Sequence, residues 1–473
     1  MSGPDPRELA ARLPSGFRLG VSTSAAQVEG AEGRGPSGWD AFAERAGAIV
    51  DGTNFRRAAD SFRRWREDVA LIADAGFDAY RFSIAWPRVQ PDGRGPLAAP
   101  GLDYYERLLD ALLAADIRPM ATLYHWDTPL PLEESGGWTS RATAERFGEY
   151  AGLVAERLAD RVADWVTINE PATVTLNGYA LGIHAPGRAD LFRAIPAARH
   201  QLLAHGLGVQ ALRAAGVDGR RGRVGIVNVH SPVRPADPAR RADRRMAALF
   251  DLVHNRLFAD PVLAGRAPRT GGLPLAICLA LGAQLRWSAE ELRLMSQPLD
   301  FYGLNYYFPS RIAAGAGGTS SPDGEAAAMA EVPFHLAEEP GAPVTGFGWP
   351  IAPGGLREAL AGLVRDYSGL PPVVVTEGGA SFPDVTDAEG AIDDGERTEY
   401  LAAHLAVAAD AASGGIPGLT LEGYCVWSLL DNVEWAAGWT QRFGIVAVDP
   451  ETGERRPKGS YRFLAAVQAA RGR

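Results

Sequence analysis

PPVVVTEGGA, residues 371–380, carries the reading from which the rest of the chain follows. Three valines and a threonine in succession make a short, β-branched apolar run, which reads as a buried strand. Two prolines precede the run and two glycines follow it, so both ends are marked. Glu377 stands at its tip. A carboxylate placed where a buried strand stops is costly to desolvate, and it needs a task or a partner to be there. Glu377 is therefore a candidate catalytic nucleophile.

Outward from this strand, apolar runs and helical stretches alternate along the chain, the signature of an α/β fold with a parallel sheet. Strands are expected at 17–24, 77–86, 118–126, 164–171, 223–232, 301–307, 372–379 and 422–430. Helical periodicity is clearest over 58–75, with a stripe of Phe62, Trp65, Val69 and Ile72, and over 104–115 and 143–158. Eight strands separated by helices fit a (β/α)8 TIM barrel better than an open sheet. Residues 313–345, rich in Gly, Ala, Pro and Ser, show no period and read as a long surface loop before the seventh strand. With no linker or repeat elsewhere, the simplest partition of residues 1–473 is a single domain.

Composition narrows the class. The chain has 473 residues, 46% hydrophobic and 22% charged, which suits a soluble globular protein with a large core. A net charge of −10 argues against nucleic acid as a partner. Cys278 and Cys425 are too few for a disulfide framework, and their apolar surroundings predict buried thiols in a reducing compartment. The polar N-terminal residues lack an apolar signal core, and no run reaches membrane-spanning length, so a cytoplasmic location is expected.

In a barrel of this kind the chemistry sits at the C-terminal ends of the strands. Those ends carry Gln27 and Glu29, Arg81, His125 and Trp126, Asn169 and Glu170, Asn305 and Tyr307, Glu377, and Trp427, with Glu434 and Trp435 just beyond. The set contains carboxylates, amides and indoles, and lacks the His and Asp clusters of a metal hydrolase. No cofactor is implied. Two carboxyls on different strands, one protonated to serve the leaving oxygen and one ionised to attack carbon, suggest glycoside hydrolysis.

The wording of the segments goes further. VTINEP at 166–171 and VTEGG at 375–379 resemble the acid/base and nucleophile motifs of the family 1 glycoside hydrolases, the retaining β-glucosidase family. GVSTSAAQVEG at 20–30, AYRFSIAWPRVQP at 79–91, LYHWDTP at 123–129, GLNYY at 303–307 and VWSLLDNVEWAAGWTQRFGIVAVD at 426–449 match in the same order. The resemblance implies a retaining β-glycosidase acting on terminal β-D-glucosyl residues, with Glu170 as acid/base and Glu377 as nucleophile. It implies that Asn169 meets the sugar 2-hydroxyl, and that Gln27, His125, Trp126 and Glu434 hold the remaining hydroxyls. Arg81 and Tyr307 would tune Glu377, Asn305 would help position the acid/base region or the sugar, Trp427, Trp435 and Phe443 would surround the sugar, and Trp349 would face the aglycone. The partner is then a small-molecule or oligosaccharide β-glycoside; a carboxylate at Glu434 would repel a 6-phosphate, so an unphosphorylated sugar is expected.

Some positions depart from the family pattern. Gly378 stands where the nucleophile motif usually has Asn, which removes an amide and loosens the backbone. Ser61 and Arg63 replace a common His, expected to be a packing matter, and Val433 and Trp439 replace common aromatics at what would be the pocket rim. A sugar-binding barrel with weakened catalysis, and a transglycosylase using the same site, are the alternatives. His184, His200 and His205 have no chemistry assigned, and the aglycone is open between a second sugar and a phenolic or metabolite group.

Overall fold

The computed structural model describes residues 4–271, 273–317, 321–324, 328–329, 332–388 and 390–472, the side chain of Phe192 aside. Eight strands, β1 (Arg18–Ser22), β2 (Ala79–Ser83), β3 (Arg118–Tyr124), β4 (Asp164–Asn169), β5 (Arg223–Val229), β6 (Tyr302–Asn305), β7 (Val373–Gly378) and β8 (Leu421–Trp427), close into a barrel. Each pairs in parallel with its sequence neighbours, and β1 pairs with β8 to shut the ring. The strands are shorter than the apolar runs suggest, because the polar residues that end each run turn out of the ladder.

Every residue of β2, β4, β6 and β7 is buried. Met120, Val166, Val227, Phe301 and Val374 fill the barrel axis as one apolar plug, and a larger core lies between the strands and the surrounding helices. The helix Ser61–Asp74 turns Trp65, Val69 and Ile72 inward while Phe62 is half-buried. Helix Arg141–Leu158 buries Phe147, Tyr150, Val154 and Leu158 in the same way.

The N-terminal end of the barrel is closed by charge. Arg18 and Arg223 reach Glu422 at 2.7 and 2.6 Å, and Arg118 and Arg223 reach Asp164 at 2.6 and 2.7 Å. Residues near the start of β1, β3, β4, β5 and β8 are thereby tied together, leaving the opposite end to the site.

Part of the expected loop at 313–345 is ordered into sheet. Phe334–Leu336 pairs with Ser310–Ala314, which pairs with Val233–Pro235, and this small sheet covers a second hydrophobic cluster with Met246, Leu249, Phe250 and Ile312. A three-residue strand is too short to show a period. Cys425 is buried as expected, but Cys278 is only half-buried, since its helix, Leu275–Gln284, buries no residue fully. Among the described residues, no helix is long and apolar enough to cross a membrane.

Candidate active site

Both carboxyls of interest stand where the barrel ladder slips. The pairing of β7 with β6 and with β8 shifts register beside Glu377, and that of β4 with β5 shifts between Val166 and Asn169. Such bulges re-aim side chains at strand ends. Glu170 follows β4 directly with a left-handed backbone, φ 44°, and Trp126 and Trp435 share that conformation at 75° and 50°. Non-glycine residues held there store strain of about 1–3 kcal/mol each, and these three stand together on one cavity wall.

Glu377 is buried, with Arg81 Nη1 on one carboxylate oxygen and the Tyr307 hydroxyl donating to the other at 2.7 Å. Burial first, and the charge of Glu377 second, hold the Tyr307 phenol well above its usual range, so it remains a donor. Glu170 accepts from Asn305 Nδ2 at 2.6 Å and from Thr173 Oγ1 at 2.7 Å. Its carboxyl is pushed up to about 7, by burial and then by the like charge of Glu377, outweighing those two hydrogen bonds.

Asn169 links the two. Its Oδ1 accepts from Arg81 Nη2 at 2.7 Å and from Asn305 Nδ2 at 3.2 Å, which leaves its Nδ2 facing His125 Nε2 at 3.0 Å. His125 Nε2 must therefore be the acceptor, and its ring proton sits on Nδ1. Burial and the nearby Arg81 keep the imidazole neutral. Among the described residues Nδ1–H has no protein partner, and His125 lines the cavity, so this donor is open to a ligand.

The cavity above these groups measures about 580 Å³. His125, Trp126, Glu170, Tyr307, Trp349, Glu377, Trp427, Glu434, Trp435 and Phe443 all lie on its wall, so strand ends far apart in sequence converge as expected. Trp427 lies nearly parallel to His125 at 5.8 Å, and Trp435 packs on Trp126 at 4.5 Å. Trp349 stacks on Phe347 at 4.5 Å and meets Tyr307 at 5.3 Å. Arg81, Asn169 and Asn305 stand behind this lining. Gln27 is also fully buried, and reaches the site through Glu434, to whose Oε2 its amide donates at 3.3 Å. Glu434 is pushed up to about 8, by burial first and the charge of Glu377 next.

Several expectations are refined. Glu29 turns away from the cavity to Arg88 at 2.7 Å and Tyr105 at 2.8 Å, a buried structural pair. Val433 and Trp439 pack against the cluster around Trp39 and Phe55, away from the cavity wall. Ser61 is buried beside the Asp68–Arg455 pair, whereas Arg63 is exposed and pairs with Glu32. His205 is buried against Thr167, and His200 meets the Trp138 carbonyl, both structural.

Many wall residues escaped sequence reasoning, Thr173, His184 and His230 among them. Thr173, one turn after Glu170, could have been found from its spacing in NEPAT. His184, packed on Trp39 and Trp126, and His230, bonded to the Tyr302 hydroxyl at 2.8 Å, arrive from loops and carry no local signal.

Known proteins are similar to this chain in sequence and in fold. The family described as glycosyl hydrolase family 1 matches residues 9–473. A β-glucosidase of an Agrobacterium species is 40% identical over 468 residues, covering 98% of this chain and 96% of its own. The solved psychrophilic β-glucosidase BglU of Micrococcus antarcticus superposes with a TM-score of 0.90 at 40% identity, covering all of both chains. Virulence factor SghA, solved in complex with its substrate analog salicin, gives a TM-score of 0.88 at 38% identity over 99% of each chain. A match of this extent in sequence and in barrel geometry places the chain in a family: it belongs to glycosyl hydrolase family 1.

Proposed function

We propose that this protein is a retaining β-glucosidase that releases terminal, non-reducing β-D-glucosyl residues by double displacement. The observation that carries the reading is the unequal setting of two facing carboxyls. Glu377 is met by a guanidinium and a phenol, partners suited to an anion. Glu170 is buried, makes no ion pair among the described residues and feels Arg81 only weakly, and it is raised to about 7, so it holds a proton near neutrality.

In the first step Glu377 attacks the anomeric carbon while Glu170 gives its proton to the departing glycosidic oxygen. The C–O bond to the aglycone breaks and a glycosyl ester forms on Glu377. Burial still raises Glu170, but esterification removes the second cause, the charge of Glu377, so the group becomes more acidic and, once ionised, can take a proton from water. That water attacks the anomeric carbon, the ester breaks, and Glu377 leaves as carboxylate. Asn169, held by Arg81 and Asn305, serves the 2-hydroxyl, while His125 Nδ1–H and Glu434, itself held by Gln27, serve the others on a floor of Trp427, Trp435, Trp126 and Phe443. Trp349 faces the aglycone.

The β-glucosidase relatives support glucose as the sugar, and the acidic wall, with no Lys or Arg among its described residues, supports an unphosphorylated one. Two free thiols support a cytoplasmic location, and residues 1–473 are read as one catalytic domain. Hydrolysis of an aryl β-glucoside followed by proton NMR tests the proposal. The β-anomer of glucose is expected first. Appearance of the α-anomer first, or turnover no greater than that of Glu377→Ala, would overturn it.

A further inference from the structure

The cavity does not end at the sugar. Away from Glu377 it continues along a wall that includes Leu181, Ile195, Leu249, Phe250, Ile277 and Leu281. Leu249 and Phe250 belong to the second hydrophobic cluster, and Leu181, Ile277 and Leu281 pack against it. Among the described residues, this cluster presents part of its surface to the cavity. Apolar surface left facing water costs about 25 cal/mol per Å², so a wall of this kind favours an apolar occupant.

The helix Leu275–Gln284, sequence LAICLALGAQ, supplies Ile277 and Leu281 to the wall. It is apolar on its other side too, with Leu275 and Leu279 74% and 67% exposed. The apolar surface therefore runs from the cavity to the outside of the molecule. Asn177, His254, Gln284 and Asp323 also lie on the cavity wall, but Ile195, Leu249, Phe250 and Leu281 offer no hydrogen bond to the hydroxyls of a second glucose, and each group left unpaired there opposes binding. No Lys or Arg stands among the described lining residues to receive an anionic group.

Resting on the reading of the sugar end given above, we infer that the aglycone is an uncharged, elongated apolar group, a long alkyl chain or its equivalent, and not a second sugar. The wall formed by Ile195, Leu249, Phe250 and Leu281 is its binding site.

Alkyl β-glucosides from butyl to octyl test this directly, because their leaving alcohols are nearly equal in acidity and differ only in apolar length. Below micelle-forming concentrations, kcat/KM should rise about threefold per methylene, roughly 80-fold from butyl to octyl. Octyl β-glucoside should exceed cellobiose by at least about tenfold. Leu281→Asn and Ile195→Asn should each flatten the dependence on length, and Leu281→Met should keep it, with folding of all three checked by thermal melting. Turnover that is flat with chain length, or a preference for cellobiose, would overturn the aglycone assignment and leave the β-glucosidase reading standing. A steep dependence untouched by both Asn variants would place the aglycone elsewhere and overturn the assignment of this wall. No turnover of any member would sink both.

Discussion

Glu170, Glu377 and Glu434 face one cavity, and three buried carboxyls in one space cannot all ionise cheaply at neutral pH. Glu170 rises to about 7 and Glu434 to about 8 as a result. In the proposed cycle the proton on Glu170 leaves with the aglycone, so kcat/KM for an alkyl β-glucoside should fall about tenfold per pH unit above roughly pH 7. A dinitrophenyl β-glucoside, whose leaving group needs no proton, should show a much shallower fall. Equal limbs for the two substrates would assign the titration to another group, Glu434 first. The raised pKa also weighs on stability. Below 4.5 Glu170 is protonated in both states; from there to about 7 the unfolded chain ionises first, and above 7 the full penalty applies. Glu170→Gln should therefore stabilise the fold by up to about 3 kcal/mol at pH 8 and by almost nothing at pH 4. Calorimetric melting at the two pH values reads this, and a variant equally stabilised at both would contradict it. Glu377→Gly should lose about 10⁴-fold or more in kcat, and added azide should restore turnover as an α-glucosyl azide.

At the scale of the strand, Gly378 is explained by its neighbour. A Cβ there would collide with the hydroxyl of Tyr424 on β8 and lie 2.6 Å from its ring Cζ. The volume of the missing Asn is thus occupied by a tyrosine ring, and Gly378, at the register shift of β7 against β8, does not have a left-handed backbone. The adjacent Gly379 meets the Trp427 carbonyl so closely that it has no room for any side chain. Gly378→Asn alone should cost about 1–3 kcal/mol or more by overpacking, and Gly378→Asn combined with Tyr424→Ala should recover part of that loss. Urea unfolding of the single and double variants would show it; strictly additive losses would contradict the coupling. This pair marks where sequence reading stops. VVVTEGG gave the strand and its carboxylate because β-branched runs and glycine stops are local signals. What fills the space beside Gly378 depends on the register between β7 and β8, which no local pattern encodes. Gln27 was legible as a polar residue at a strand end, yet its link to Glu434 depends on how the loop after β8 folds back. The contributions of His184 and His230, and the short strand Phe334–Leu336, were illegible for the same reason.

On the scale of the molecule, the barrel separates stability from chemistry at its two ends. Burial alone would raise the Asp164 carboxyl, but Arg118 and Arg223 outweigh it and hold it below the usual carboxylate range. Its contribution is present at neutral pH and is lost as pH falls below about 4. Asp164→Asn leaves Arg118 and Arg223 short of a partner at the N-terminal end and should cost about 3–5 kcal/mol, with kcat at 25 °C close to the parent value. A large loss of kcat in a fully folded variant would contradict this division. The C-terminal end gathers the left-handed Trp126, Glu170 and Trp435, the raised Glu170 and Glu434 and the open cavity, all of which weaken the fold and serve the site. The claim at the centre of this account is that Glu377 attacks the sugar. In 2-deoxy-2-fluoro-β-glucosyl fluoride the 2-fluorine slows both formation and breakdown of the glycosyl ester, and the good fluoride leaving group speeds formation alone, so the adduct accumulates on incubation. Peptide mapping by mass spectrometry should place the label on Glu377, in step with loss of activity; a label on Glu170 or Glu434, or turnover without any adduct, would contradict the account.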